Sequence, residues 1–277
     1  MVDVREGMNL DETKEALKSF ATLHALGLKL KQTLGNKIQD DFPCLVRCSW
    51  EEMSEYMETV IEKTIKILSK IPVQQAIVDE LSTARGQVLK LYKKAYNPKS
   101  VVSTICHGDP WVGNLMFLYE TDKYGIKRVA DVKFLDFQLI SLGNSTCDIA
   151  EIIASSVQAY IQENQLQEIL QTYHTKLTDL LYDLNMEMKY PYCEFLSDYE
   201  KTFFCGYFKS MLITSLFALH DKDEMVKLLE KFQDKSIEEI NAITNKNDEG
   251  ASIKFKELED RFVITCANLV KYGVLPA

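Results

Sequence analysis

Apolar positions recur at spacings of three and four through most of the chain, and the exceptions gather in one central stretch. Leu17, Phe20, Ala21, His24 and Leu28 form such a stripe and predict a helix over 9–34, with Gly35 as its stop signal. His24 lies on that apolar face, where a core histidine with one hydrogen-bond partner is favoured over a ligand. Ser49 and Glu52 form a capping-box pattern ahead of Met53, Tyr56, Met57, Val60, Ile61, Ile65 and Leu68, a second long helix ended by Pro72. A third helix is predicted from about Val73 to Tyr96, closed by Asn97-Pro98. After Gly143-Asn144 the helical period returns over about 147–161, 164–184, 194–220, 222–246 and 254–273. Ser197 and Glu200 offer another capping box in this half, and Asp248-Glu249-Gly250 marks a loop before the last helix.

Between Val101 and Leu142 the pattern shortens to β-branched and aromatic runs, VVSTIC, LMFLYE and VADVKFLDF, with a polar turn at Thr121 to Gly125 between the last two. This is a small β segment containing one hairpin, set into an otherwise helical domain. The fold class is therefore α+β. The most apolar long stretch, Phe203 to Leu219, is interrupted by Lys209 and falls short of the roughly 20 residues a membrane span needs, so it reads as a buried core helix.

Composition narrows the function. The 277 residues are 46% hydrophobic and 26% charged, as in an ordinary soluble globule. Lys plus Arg is 32 against 41 Asp plus Glu, a formal charge of −9, which argues against a nucleic-acid partner because phosphate-backbone binding calls for a basic excess. The seven cysteines are scattered, with no C-x-x-C pair, and predict reduced thiols in a reducing, cytoplasmic compartment in place of a disulfide scaffold or structural zinc site. The opening MVDVREGMNLDETKEALK has no apolar core of a secretory signal.

Unusual residues collect at the hairpin: His107-Gly108-Asp109-Pro110-Trp111-Val112-Gly113-Asn114, then Asp136-Phe137-Gln138. Asn114 precedes the first strand and Asp136 ends the second, so antiparallel pairing should make them neighbours, with Asp109 five residues before Asn114 on the incoming loop. Two carboxylates and an amide oxygen at one hairpin end suit a hard divalent cation with an adjacent base. The spacing matches the phosphoryl-transfer template, in which a loop Asp accepts the substrate hydroxyl proton while an Asn five residues on and a later Asp hold magnesium. The competing reading is a tight loop whose Asp and Asn merely cap turns.

At these residues the chain resembles the ecdysteroid-kinase-like family, also called CHK kinase-like, within the wider protein-kinase-like fold. Leu23-His24-Ala25, ICHGDPWVGN, VKFLDFQ, NSTCDIAEII and the closing LVKYGVL all look like that family's C-terminal lobe, so the resemblance extends over almost the whole chain. It implies that Asp109 is the catalytic base, that Asn114 and Asp136 are the ligands of magnesium and through it of ATP, and that His107 and Asp148 are supports. A buried Asp148 accepting backbone N–H bonds would lock the bend at His107 to Asp109, and the alternative is a plain acid favoured by a helix N-terminus. Gln138 stands where aminoglycoside phosphotransferases and choline kinases carry a second acid, and the family that the chain resembles likewise lacks that acid. Trp111 is read as packing of the loop in preference to stacking on a substrate.

The resemblance begins just past the hinge between lobes. No G-x-G-x-x-G occurs among the 11 glycines, and Lys29 and Lys31 lie on a helix, where neither can clamp phosphate. Residues 1–277 are accordingly expected to form a C-terminal lobe, with 1–100 helical, 101–142 the catalytic loop and hairpin, and 143–277 helical, and to be incompetent in catalysis alone. The expected activity is ATP- and magnesium-dependent phosphorylation of a hydroxyl on a small, lipophilic, ecdysteroid-like molecule, with Phe203, Phe204, Tyr207, Phe208 and Phe217 either lining an acceptor pocket or filling the core. The alternative is a non-catalytic small-molecule binding or regulatory protein derived from such a kinase. No nucleic-acid partner and no membrane span are expected.

Overall fold

The computed structural model describes residues 2–45, 54–71, 75–96, 102–217 and 255–275. The first helix, α1 (Leu10–Leu34), starts at a reciprocal cap: the Asn9 side chain accepts from the Glu12 amide, and the Glu12 carboxylate accepts from the Asn9 amide. It ends at Gly35, as its sequence predicts. A short α2 (Ile38–Asp41) follows, then α3 (Ser54–Leu68), α4 (Gln75–Ser82) and α5 (Val88–Tyr96).

The single helix expected from about 73 to 96 is two. Gly86 adopts a φ of 69°, and the Glu58 carboxylate on α3 accepts from the amides of Gly86 and Val88, so an acid from a neighbouring helix caps a fresh start for α5. The Ser49–Glu52 capping box, the 222–246 helix and the Asp248–Gly250 loop lie outside the described residues.

The β segment holds two antiparallel pairs. β1 (Ser103–Cys106) pairs with β4 (Ser141–Asn144), while β2 (Leu115–Thr121) and β3 (Lys127–Phe134) form the hairpin in the expected place. β4 carries the sequence SLGN, without β-branched residues, and no periodicity announces it. β1 lies against α1 at unusually close range: a Cβ at Gly27 would fall 2.5 Å from Thr104 Oγ1.

Helices α6 (Ser145–Ser156), α7 (Ala159–Asn164), α8 (Leu166–Asp183), α9 (Tyr192–Phe217) and α10 (Lys256–Lys271) complete the core. The helix expected at 147–161 breaks because Met8 pairs with Val157, its amide bonded to the Ser156 carbonyl. Pro191 starts α9, its carbonyl accepting from Glu194 and Phe195, so Ser197 and Glu200 lie inside the helix and their capping pattern is unused. Every residue of α6 is buried, and it packs against α9, where Phe203, Phe204, Tyr207 and Phe208 are also buried. These four rings are part of the buried core; Phe217 is half-buried against Trp111. Among the described residues, no helix is long and apolar enough to cross a membrane.

Candidate active site

The loop from His107 to Asn114 runs between β1 and β2, and its shape is imposed by a buried carboxylate. Asp148, in the first turn of α6, accepts from the backbone amides of His107 at 2.7 Å and Gly108 at 3.1 Å, and from His24 Nε2 at 3.1 Å. Burial works against the charged form of Asp148. The hydrogen bond and charge of His24, with His107 and the Gly108 amide, outweigh it and hold the carboxyl below its ordinary range. Asp148 thus ties down the backbone bend, the first of the two roles its sequence position allowed.

His24 has two partners where the sequence suggested one, since its Nδ1 also meets the Tyr173 hydroxyl at 2.8 Å. His24, Cys106 and Asp148 bring ligand-type atoms within 4.8 Å of one another, but both Asp148 oxygens are already taken by hydrogen bonds. Gly108 is obligatory. Its φ is 81°, and a Cβ there would lie 2.1 Å from the Leu139 carbonyl oxygen.

Residue 135 links the two halves of the site. The His107 ring donates from Nε2 to the Leu135 carbonyl at 2.9 Å, its Nδ1 accepts from the Asp109 amide at 3.3 Å, and the Leu135 amide donates to the Asn114 carbonyl at 2.9 Å. Leu115 pairs with Phe134, so the hairpin register sets Asn114 against Leu135 and brings Asp136 one residue beyond it. β3 ends at Phe134, two residues short of the expected strand end at Asp136, which takes a left-handed φ of 58° that aspartate tolerates.

Asp109 and Asn114 are in direct contact. Asn114 Nδ2 donates to the Asp109 carbonyl at 2.9 Å and to its Oδ2 at 3.0 Å, an orientation that leaves the amide oxygen for another partner. Asp136 is exposed, and its carboxylate accepts from the Gln138 amide and from Gln138 Nε2 at 3.2 Å. At the position where a second acid would add charge, Gln138 instead supplies donors to the first. Trp111 packs over Gly113 and against Phe217, 5.7 Å between ring centroids.

One participant was not foreseen. Lys209 of α9 places its ammonium on Asp109 Oδ1 and 3.8 Å from Glu151 Oε2. In the sequence it is a lone cation interrupting an apolar helix, and only the fold reveals its partners, 100 and 58 residues away in the chain.

Residues 1–186 match the ecdysteroid kinase-like family, well over half of the chain, which therefore belongs to that family. The match includes Asp109, Asn114, Asp136 and Asp148 and stops short of the near-complete resemblance expected from the sequence. No curated protein matches the chain. Membership implies a kinase-like phosphotransferase.

Proposed function

We propose that the protein transfers the terminal phosphoryl group of ATP, in the presence of magnesium, to a hydroxyl of a small lipophilic molecule, residues 1–277 forming the helical lobe of a protein-kinase-like fold. The observation that carries this reading is the Asp109–Asn114 contact at the base of the hairpin, one residue pair away from Asp136. A carboxylate and an amide oxygen suit magnesium, a hard cation that takes few protein ligands and relies on phosphate oxygens for the rest. Asn114 and Asp136 would hold it, and when bound it would neutralise charge on the phosphates.

This chain's own contribution is positioning. Asp109 would accept the hydrogen bond of the acceptor hydroxyl and take its proton as the oxygen attacks. Its place is fixed by the backbone bend under Asp148 and by the Asn114 amide, so the base reaches the reaction already oriented. Leu135, Phe137 and Leu139 flank Asp136 with exposed apolar side chains, which supports a lipophilic acceptor.

The test is phosphoryl transfer from ATP to a panel of steroid and other apolar alcohols, with residues 1–277 joined to a glycine-rich N-terminal kinase lobe of the same family, comparing wild type with Asp109→Asn. Turnover should fall about 10²- to 10⁴-fold while nucleotide binding persists. Equal turnover in the two proteins would remove Asp109 from the chemistry. Acceptor binding without any transfer would favour a binding protein over a kinase.

A further inference from the structure

Lys209 is a costly residue for its position. Its side chain is 11% exposed, on a helix whose neighbouring Phe208 and Met211 are core, and a buried ammonium is tolerated only against counter-charge. Two carboxylates supply it: Asp109, in contact, and Glu151, 3.8 Å away with a side chain 2% exposed. Glu151 lies three residues after Asp148 on α6. One helix therefore carries both the acid that bends the catalytic loop and an acid that faces the lysine.

The approach is built into α9. A Cβ at Gly206 would sit 2.4 Å from the Ala150 carbonyl oxygen, so the glycine lets α9 press onto α6 one turn before Lys209. The consequence reaches Asp109, whose two carboxylate oxygens are held from opposite partners, Oδ1 by Lys209 and Oδ2 by Asn114 Nδ2. Lys209 lies beyond the stretch matched by the family, so nothing about this residue follows from membership.

We propose that Lys209 is a positioning residue for Asp109, its ammonium fixing the plane of the carboxylate while Glu151 keeps the ammonium in place. This rests on Asp109 being the base, and the experiment separates the two ideas. Wild type, Lys209→Met, Lys209→Gln and Lys209→Arg are compared by two readouts. One is proton exchange of the Asn114 side-chain amide, identified by its loss in Asn114→Ala. The other is kcat and KM for phosphoryl transfer from magnesium-ATP, read in the protein joined to a glycine-rich N-terminal kinase lobe.

A freed carboxylate should rotate away from Asn114, speeding exchange of that amide about tenfold or more. Turnover should fall about 10²-fold with KM for ATP within about twofold, the pattern of a lost orientation and not of lost binding. Lys209→Arg, which keeps the charge, should recover most of both. A folded Lys209→Met or Lys209→Gln protein with unchanged Asn114 exchange would overturn the proposal, whatever its activity. Unfolding of both neutral variants, with a folded Lys209→Arg protein whose Asn114 exchange is about tenfold faster but whose turnover is unchanged, would also overturn it, making the lysine a structural counter-charge. If wild type and Asp109→Asn are equally inactive when joined to a glycine-rich N-terminal kinase lobe, the kinase reading fails, and Asn114 exchange still decides the role of Lys209.

Discussion

Replacing Asp148 by asparagine keeps the volume of the side chain and removes its charge. Oδ2 accepts from the His107 amide and from His24, and Oδ1 accepts from the Gly108 amide. An asparagine oxygen can serve only one of these two positions, and its NH₂ must face a donor at the other. One charge-assisted hydrogen bond is then lost, at about 1.5–3 kcal/mol, and two weaken toward neutral strength, about 1 kcal/mol each. The loss should be near 4 kcal/mol at neutral pH, on the order of 10 °C in Tm. The pH dependence has a definite sign. Because folding lowers the Asp148 pKa, its stabilisation is fully present above the unfolded value of about 3.9 and disappears as pH falls through the lower folded value. Denaturant unfolding of wild type and Asp148→Asn should show a gap that is constant from about pH 5 upward and narrows below pH 4. Hydrogen exchange at the amides of His107 and Gly108 should quicken more than elsewhere. A loss below about 1 kcal/mol, or a gap unchanged to pH 3, would refute the idea that this carboxylate holds the loop.

Two further substitutions address the rest of the site. Asp136→Ala should abolish the mutual strengthening of magnesium and nucleotide binding, and calorimetry showing tight, nucleotide-independent magnesium binding to the wild type would contradict its assignment as a ligand. Gly108→Ala should destabilise by at least about 2 kcal/mol in denaturant unfolding, since a methyl group there meets the Leu139 carbonyl at a left-handed φ, and a neutral result would show that the loop can yield.

The helices were legible where one stripe of apolar residues is buried by the fold as a whole, as in α1 and α8, and the hairpin where alternating runs flank a polar turn. The misplaced boundaries share a cause: a backbone group is taken up by something remote in sequence. Glu58 caps α5 from α3, and Met8 ends α6 by pairing with Val157. β4 was invisible because its strand character comes from β1 alone. Within the site, the loop and hairpin ends could be found because they are local in sequence or joined by a hairpin register. The second partner of His24 and the contact of Lys209 with Asp109 join elements far apart along the chain, and no spacing rule encodes such pairs.

The far end of the hairpin is moored independently of the site. Ala130 is a bulge between the pairs Leu118–Asp131 and Tyr119–Val129; the Val129 amide donates to Asp11, and the Tyr119 hydroxyl to Glu12, both in the first turn of α1. Beyond that mooring the tip is self-contained, its turn organised by Asp122 accepting from Tyr124 and Ile126, with open space around Gly125. Length and sequence between Thr121 and Lys127 are thereby decoupled from the positions of Asn114 and Asp136. The hairpin tip should therefore be a permissive insertion point, where a tag, a reporter or an added recognition loop is accepted without disturbing the Asn114–Leu135 end.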